Sequence, residues 1–329
     1  MSKHHYRSLI LRLSRFMTRG KRPVESRRIF VAPLMILCCV GMTASAVSHM
    51  QEGETTRHLW DTAYIDKGSG RVTSRKTFAK RSYRIATPGV PVEGVTADTV
   101  IGVTIWRLRP SRQAGEGERL IVHDGSETVE WLPQRVSADT RLNEGDRLRI
   151  GIEAARTGYL YVVDREQYAD GSLGDPFLIF PTTRTRGGDN QVKIGRVIEI
   201  PAQDDGPPYF TLKRSRSDQV GENLIVLVSP KPIEGLHMSD KAQRLSDEQV
   251  VTWEKSWGGQ LGHLEMENGE GKQWTKAEKN AAADSTRGLT ADEPAPQTIY
   301  YRPGATSTVP VLVKVQLKYA RSTRRGNRR

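Results

Sequence analysis

The chain has 329 residues, which is enough for one large domain or two ordinary ones. Hydrophobic residues make up 36% and charged residues 27%, so the composition allows a packed core and excludes a wholly disordered, collagenous or polytopic membrane protein. The formal charge of +12 comes from the two ends, because residues 1–28 carry nine basic side chains against one acid and residues 321–329 carry five arginines. The net charge between these ends is −1, so we expect no general attraction to nucleic acid.

An uncharged segment, residues 29–46, follows the basic N-terminus. Basic, then apolar, then small residues are the order of a secretory signal peptide, and Ala44-Ser45-Ala46 fits a cleavage site before Val47. We therefore expect an exported protein of the periplasm or cell surface, with no stable membrane span after cleavage. Three alternatives stay open: an uncleaved anchor, a start at Met17, and twin-arginine export through the run SRRIFV at residues 26–31.

Both cysteines, Cys38 and Cys39, lie inside this segment. The mature chain would then contain no cysteine. That excludes a disulfide, a thiol nucleophile and a cysteine-ligated metal centre from it.

Residues 47–98 are polar and irregular and are predicted to form a basic linker. Six basic side chains between residues 71 and 84 are compatible with an adhesive arm for anionic polymers, but a solvated linker is the favoured interpretation. The basic end of the chain, residues 320–329, is predicted to be a disordered tail.

Short strand-like runs begin at residue 99 and continue to residue 319. In the run 146–153 the apolar residues alternate with Arg147, Arg149 and Glu153, a period of two that is typical of a half-buried strand. The main predicted strands are 99–108, 119–123, 129–136, 146–153, 158–164, 177–180, 192–201, 209–213, 223–228, 298–301 and 311–319. Many short strands with little helix predict an all-β fold, an antiparallel β-sandwich that is immunoglobulin-like or similar. Its core is expected to contain Leu148, Ile150, Ile152, Leu160, Val162 and residues 224–228.

A short helical insertion is predicted near residues 246–283. Capping-box patterns start at Ser246 and at Thr275, each with Gln or Glu three residues later. An apolar stripe at helical spacing is formed by Val250, Trp253, Trp257 and Leu261. The stripe is expected to pack the helix onto the sandwich, with a ligand platform as the less favoured alternative.

Four short motifs resemble the bacterial "domain of unknown function 4384" family over about residues 140–235. They are EGDRLR at 144–149, TGYLYVVD at 157–164, LIFP at 178–181 and VIEIP at 197–201. The resemblance implies a small β-rich domain of exported or multidomain bacterial proteins. It implies no catalytic residues, because none are established for the family.

The first candidate site is an acidic turn with the possible calcium ligands Asp164, Glu166, Asp170 and Asp175. Carboxylates around a glycine-bearing turn suit Ca²⁺, but their spacing is not that of an EF-hand. An exposed acidic hairpin turn is the favoured interpretation, and no other cofactor is expected.

The second candidate site is the loop that carries Arg184, Arg186, Gly187 and Gly188. The two guanidinium groups suit a planar anion, and the glycines suit an anion-binding backbone nest. A polar turn whose arginines pair with neighbouring acids is the alternative, and it is favoured.

The sequence contains no catalytic motif, so no catalytic residue is assigned and the protein is expected not to be an enzyme. The leading hypothesis is a non-catalytic β-sandwich module that binds an envelope protein or an anionic surface polymer. The alternative is an envelope hydrolase that uses carboxylates of the 164–175 turn.

Overall fold

A computed structural model describes residues 83–91, 93–111, 117–124, 127–283 and 295–321. The predicted signal peptide, most of the predicted linker and nearly all of the basic tail lie outside the described residues. The strands are β1 (Tyr83–Ile85), β2 (Val100–Pro110), β3 (Leu120–Asp124), β4 (Glu127–Val136), β5 (Arg141–Leu142), β6 (Arg147–Ala154), β7 (Gly158–Tyr168), β8 (Phe177–Phe180), β9 (Gln191–Val192), β10 (Val197–Ile200), β11 (Phe210–Thr211), β12 (Gln219–Ser229), β13 (Gln243–Arg244), β14 (Gly262–Met266), β15 (Thr298–Tyr301) and β16 (Val311–Tyr319). The helices are α1 (Asp247–Trp253), which continues as a π-helical turn at Glu254–Gly258, and α2 (Lys276–Ala283).

The strands form two sheets, and the predicted all-β sandwich is confirmed. In the first sheet, β2 pairs along one side with β15 and β4 and along the other side with β6, which in turn pairs with β10 and β11. The second sheet has the order β13-β8-β7-β12-β16-β5, with β9 also on β7. Every pair among the described strands is antiparallel except the short β16–β5 pair.

The main core lies between the two sheets. Alternate residues of β6, including Leu148, Ile150 and Ile152, meet Leu160 and Val162 of β7, as the period of two predicts. Strand β12 pairs on both sides, with β7 and β16, which explains why residues 224–228 are apolar throughout. Its even-numbered residues face this core, whereas Ile225 and Leu227 face the opposite side of the second sheet.

Helical segments cover the outer faces of both sheets. On the second sheet, Val250 and Trp253 of α1 pack with Ile225 and Leu227, so the apolar stripe is a packing surface. The Ser246 hydroxyl caps this helix by accepting a 3.1 Å hydrogen bond from the Gln249 amide, as the capping box predicts. On the first sheet, Ala281 and Ala282 of α2 are buried.

The predicted linker is too long at its C-terminal end. Strand β1 pairs with β14, and both Val90 and Val95 are buried in a small cluster on the first sheet. The folded domain therefore includes residues before 99. The run 192–201, predicted as one strand, is two strands separated by a turn at Gly195, whose φ is 77°. In the described part of the chain, no helix is both long and apolar enough to cross a membrane.

Candidate functional site

The loop after β8 holds its two predicted arginines in different environments. Arg184 is exposed, whereas only 10% of the Arg186 side chain is exposed. The Arg186 amide donates to the Asp205 carboxylate at 3.0 Å, and its Nε donates to the Asp189 carbonyl at 3.3 Å. Arg186 therefore fits the interpretation of a polar turn, in which it stabilises the loop through contacts with neighbouring residues.

The two glycines of this loop also differ in their exposure to solvent. Gly187 has a φ of 59° and is exposed, but Gly188 is buried and its amide donates to the Thr185 carbonyl at 3.0 Å. Gly188 has a φ of 89°, a left-handed conformation that favours glycine, and a Cβ there would also displace the Met238 side chain. An anion nest needs free amides, and the Gly188 amide is already bonded.

Three carboxylates of the acidic turn, Glu166, Asp170 and Asp175, accept hydrogen bonds from separate local partners. Asp170 accepts from the amide and hydroxyl of Ser172, which is a local turn contact, and Asp175 is ion-paired with Arg244 at 2.8 Å. Glu166 accepts from the hydroxyl groups of Tyr168 and Ser215. Among the described residues, no group of three or more His, Cys, Asp or Glu side chains is placed to hold a metal ion. The calcium site stays a prediction.

Asp164 instead belongs to a buried carboxyl pair with Glu222 of the neighbouring strand. Burial raises the pKa of Asp164 to about 7, and the charge of Glu166 adds to that rise. Burial also raises the pKa of Glu222 to about 8, with a further contribution from the charge of Asp164. The Tyr319 hydroxyl donates to Glu222 at 2.6 Å. The pair is therefore protonated near neutral pH more readily than ordinary carboxyls.

The outer face of the first sheet carries an arginine held between two aromatic rings. The Arg147 guanidinium carbon lies 4.1 Å from the centroid of the Trp131 ring and 4.6 Å from that of Tyr209. The two ring centroids are 6.2 Å apart at an interplanar angle of 56°, so the rings form a V with the guanidinium between them. All three side chains are half-buried and border solvent. We call this group the Arg147 clamp.

Three separate segments build the Arg147 clamp. Arg147 is the first residue of β6, Trp131 lies in β4, and Tyr209 directly precedes β11. Residue 147 pairs with Thr211 on one side and with Leu108 on the other, which brings all three segments to one end of the sheet. Because side chains alternate along a strand, Arg147 points away from the core when Leu148 points into it.

No acid among the described residues is ion-paired with Arg147. The neighbouring Asp146 is engaged elsewhere, because it accepts from the Asn143 amide at 2.9 Å and lies 3.5 Å from Arg109. The guanidinium thus lies over the faces of two rings on adjacent sides of it, and no acid in this part of the chain is paired with it. Such an arginine is oriented to receive a planar anion.

No family model, curated protein or solved structure matches this chain. The resemblance to the domain of unknown function 4384 family therefore stays a prediction.

A second polar feature lies on the same face, between β2, β6, β10 and α2. We call it the outer cleft; the space inside it is about 20 Å³, room for about one water molecule. Its lining includes Arg135, Glu153, Glu199 and Glu278. Arg149 lies beside it, fully buried, with its Nη2 bonded to the Glu199 carboxylate.

The polar residues of β6 are thus more buried than a half-buried strand suggests. Arg149 is 1% exposed and Glu153 is 6% exposed, because α2 and the segment before it cover this face. Trp274 in that segment lies against Arg149, with the guanidinium carbon 5.4 Å from its ring centroid. The residue pattern of β6 alone does not predict that α2 and the segment before it cover this face.

Proposed function

We propose that this protein is a non-catalytic β-sandwich module of the bacterial envelope that binds an anionic surface polymer through the Arg147 clamp. The single observation that carries the proposal is a half-buried guanidinium between Trp131 and Tyr209, with no acidic partner among the described residues.

The chemistry of the clamp favours carboxylate or phosphate groups. A guanidinium offers two parallel N–H donors that match the two oxygens of such a group. Contacts with the two rings restrict the orientation of Arg147 before binding, which lowers the entropy lost when the anion binds. Tryptophan, tyrosine and arginine are also the residues that dominate binding hot spots.

The envelope location is part of the same proposal and is supported by the sequence alone. Residues 1–46 have the order of a secretory signal peptide, and the chain after Val47 has no cysteine. Intact-mass analysis of the exported protein is expected to give an N-terminus near Val47. A membrane-bound product that keeps residues 29–46 would contradict cleavage.

The proposed binding is tested by titrating the purified protein with poly-glutamate, polyphosphate and neutral dextran. We expect binding to one or both polyanions, weakened by salt, and no binding to dextran. Arg147→Ala is expected to weaken binding by about 10- to 100-fold, from the loss of charge-assisted hydrogen bonds.

A matched control is Arg216→Ala. Arg216 also lies over an aromatic ring, with 3.9 Å from its guanidinium carbon to the Tyr168 centroid, but it is ion-paired with Asp218 at 2.6 Å. The control variant should bind like the unmodified protein. Equal losses in the two variants would mean that binding follows total charge and not the clamp.

A hydrolase that uses buried carboxyl groups is the second candidate. The observation that favours it is the Asp164–Glu222 pair, whose raised pKa values suit a general acid. Incubation with peptidoglycan, soluble glycans and simple esters tests it. Turnover that Glu222→Gln abolishes would favour this candidate over the binding module.

A further inference from the structure

Strand β3 forms an open edge of the first sheet, next to the Arg147 clamp. It has five residues, Leu120–Asp124, and among the described strands it pairs with β4 alone. It is the longest described strand that pairs on one side only. Such an edge presents backbone N–H and C=O groups that can pair with a further strand.

The backbone groups of Ile121 point toward this open edge. Ile121 pairs with Glu130 of β4, and the Glu130 carbonyl accepts from the Ser111 amide at 3.0 Å. Ser111 follows β2, which lies on the other side of β4 from β3. In an antiparallel ladder the N–H and C=O of one residue point to the same side, so Ile121 and Glu130 form a pair without hydrogen bonds between them. The N–H and C=O of Ile121 are therefore directed away from β4.

The side chains of β3 lack the features that usually protect a sheet edge. Residues 120–123 contain no proline and no Asp, Glu, Lys or Arg. The Ile121 side chain is 52% exposed, whereas Leu120 and Val122 are buried on the opposite face of the strand. Burial of Ile121 against an apolar partner would be favourable.

The strand complements itself in one antiparallel register. With a two-fold axis at Ile121, this residue lies opposite Ile121 of a second copy, and Leu120 of each copy lies opposite Val122 of the other. The central pair can exchange two hydrogen bonds, because its backbone groups point to the edge. An axis at Val122 would instead place Ile121 opposite His123, which loses the match between apolar side chains.

We propose that the open edge of β3 binds a second copy of this chain, through antiparallel pairing of the two β3 strands about Ile121. The first sheets of the two copies then form one continuous sheet. The interface is short, so the dimer is weak, with a dissociation constant in the micromolar range.

This dimer would place two Arg147 clamps on one surface. A two-fold axis perpendicular to the sheet keeps the outer faces of both copies on the same side, and Trp131 of the clamp pairs with Leu120 of β3. A long polyanion could then contact both clamps, which raises its apparent affinity. This consequence rests on the proposed function, whereas the dimer itself does not.

Sedimentation equilibrium of the purified full chain, from roughly 1 to 200 μM, tests the dimer. We expect a monomer–dimer equilibrium that Ile121→Lys weakens at least tenfold, because two positive charges would meet at the axis. Val251→Lys is the matched control, since it adds the same charge at a 39% exposed residue of α1 and should leave dimerisation unchanged. A monomer at every concentration, or equal dimerisation in the two variants, would overturn the proposal.

Disulfide cross-linking tests the register. In a chain that carries Cys38→Ser and Cys39→Ser, Ile121→Cys should form a linked dimer on mild oxidation, because the Cα atoms of a hydrogen-bonded antiparallel pair lie about 5.5 Å apart. His123→Cys, at an exposed residue two positions along β3, should not form one. Absence of the link at residue 121, or equal links at both positions, would overturn the register.

The dimer and the Arg147 clamp can fail independently. Ile121→Lys leaves the side chains of the clamp unchanged, and Arg147→Ala leaves β3 unchanged. Loss of polyanion binding with an intact dimer would contradict the clamp alone, and a monomer that still binds polyanions would contradict the dimer alone.

Discussion

The stability of the domain is predicted to fall as the pH rises from about 6.5 to about 8.5. Burial raises the pKa of Asp164 and of Glu199 to about 7 and that of Glu222 to about 8. In the unfolded chain these groups lose their protons near pH 4, so in this window the folded state binds more protons than the unfolded state. The free energy of unfolding therefore decreases with rising pH.

The size of the effect follows from the raised pKa values. For each proton that only the folded state binds, the free energy of unfolding decreases by up to about 1.4 kcal/mol per pH unit. Asp164 and Glu222 do not titrate independently, so we take less than the full contribution of each. The expected loss of stability across the window is on the order of 2 kcal/mol.

Urea unfolding at several pH values measures this loss. Burial lowers the pKa of His263, which has the opposite effect on stability but acts mainly below about pH 6.5. Glu222→Gln should flatten the profile, because it removes one titrating group and one negative neighbour of Asp164. Glu267→Gln, at an exposed carboxylate, should leave the profile unchanged. A stability that rises between pH 6.5 and 8.5 would refute the reasoning.

Two further predictions concern the core and the loop after β8. Ile150→Asp should prevent stable folding, because Ile150 is 2% exposed and burying an unpaired charge there costs more than about 4 kcal/mol. A soluble variant with an unchanged urea midpoint would contradict the register of β6. Arg186→Ala should lower the melting temperature by a few degrees, because losing the hydrogen bond from Nε to the Asp189 carbonyl reduces the stability by about 1 kcal/mol. Arg184→Ala should leave the melting temperature unchanged. The reverse order would show that Arg184 is the structural residue.

The sequence patterns that depend on neighbouring residues predicted the fold well. The alternation in 146–153 identified β6 and the residues that it buries, and the runs 177–180, 298–301 and 311–319 match their strands. The capping boxes at Ser246 and Thr275 located both helices, and the Glu278 amide bonds to the Thr275 hydroxyl at 3.2 Å. Each of these signals depends on contacts within a few residues.

The Arg147 clamp could not be predicted, because its parts meet only through the order of the strands. Trp131 and Tyr209 are distant from Arg147 in sequence, and no local rule indicates that the middle of β4 and the residue before β11 lie beside the start of β6. The burial of Arg149 and Glu199 was missed for a similar reason, since it depends on α2 crossing the outer face of the first sheet. The different environments of Arg184 and Arg186 could not be predicted either, because the contacts of Arg186 with Asp205 and Asp189 depend on how the loop folds.

The most direct measurement of the central claim is the affinity of Arg147→Lys for poly-glutamate at low salt, compared with the unmodified protein. Lysine keeps the positive charge but lacks the planar guanidinium group that binds two oxygens and lies over the rings of Trp131 and Tyr209. If the clamp is the binding site, Arg147→Lys loses most of the affinity that Arg147→Ala loses, with an unchanged melting temperature. Full affinity in Arg147→Lys would mean that charge alone drives binding, and full affinity in Arg147→Ala would mean that the polymer binds elsewhere.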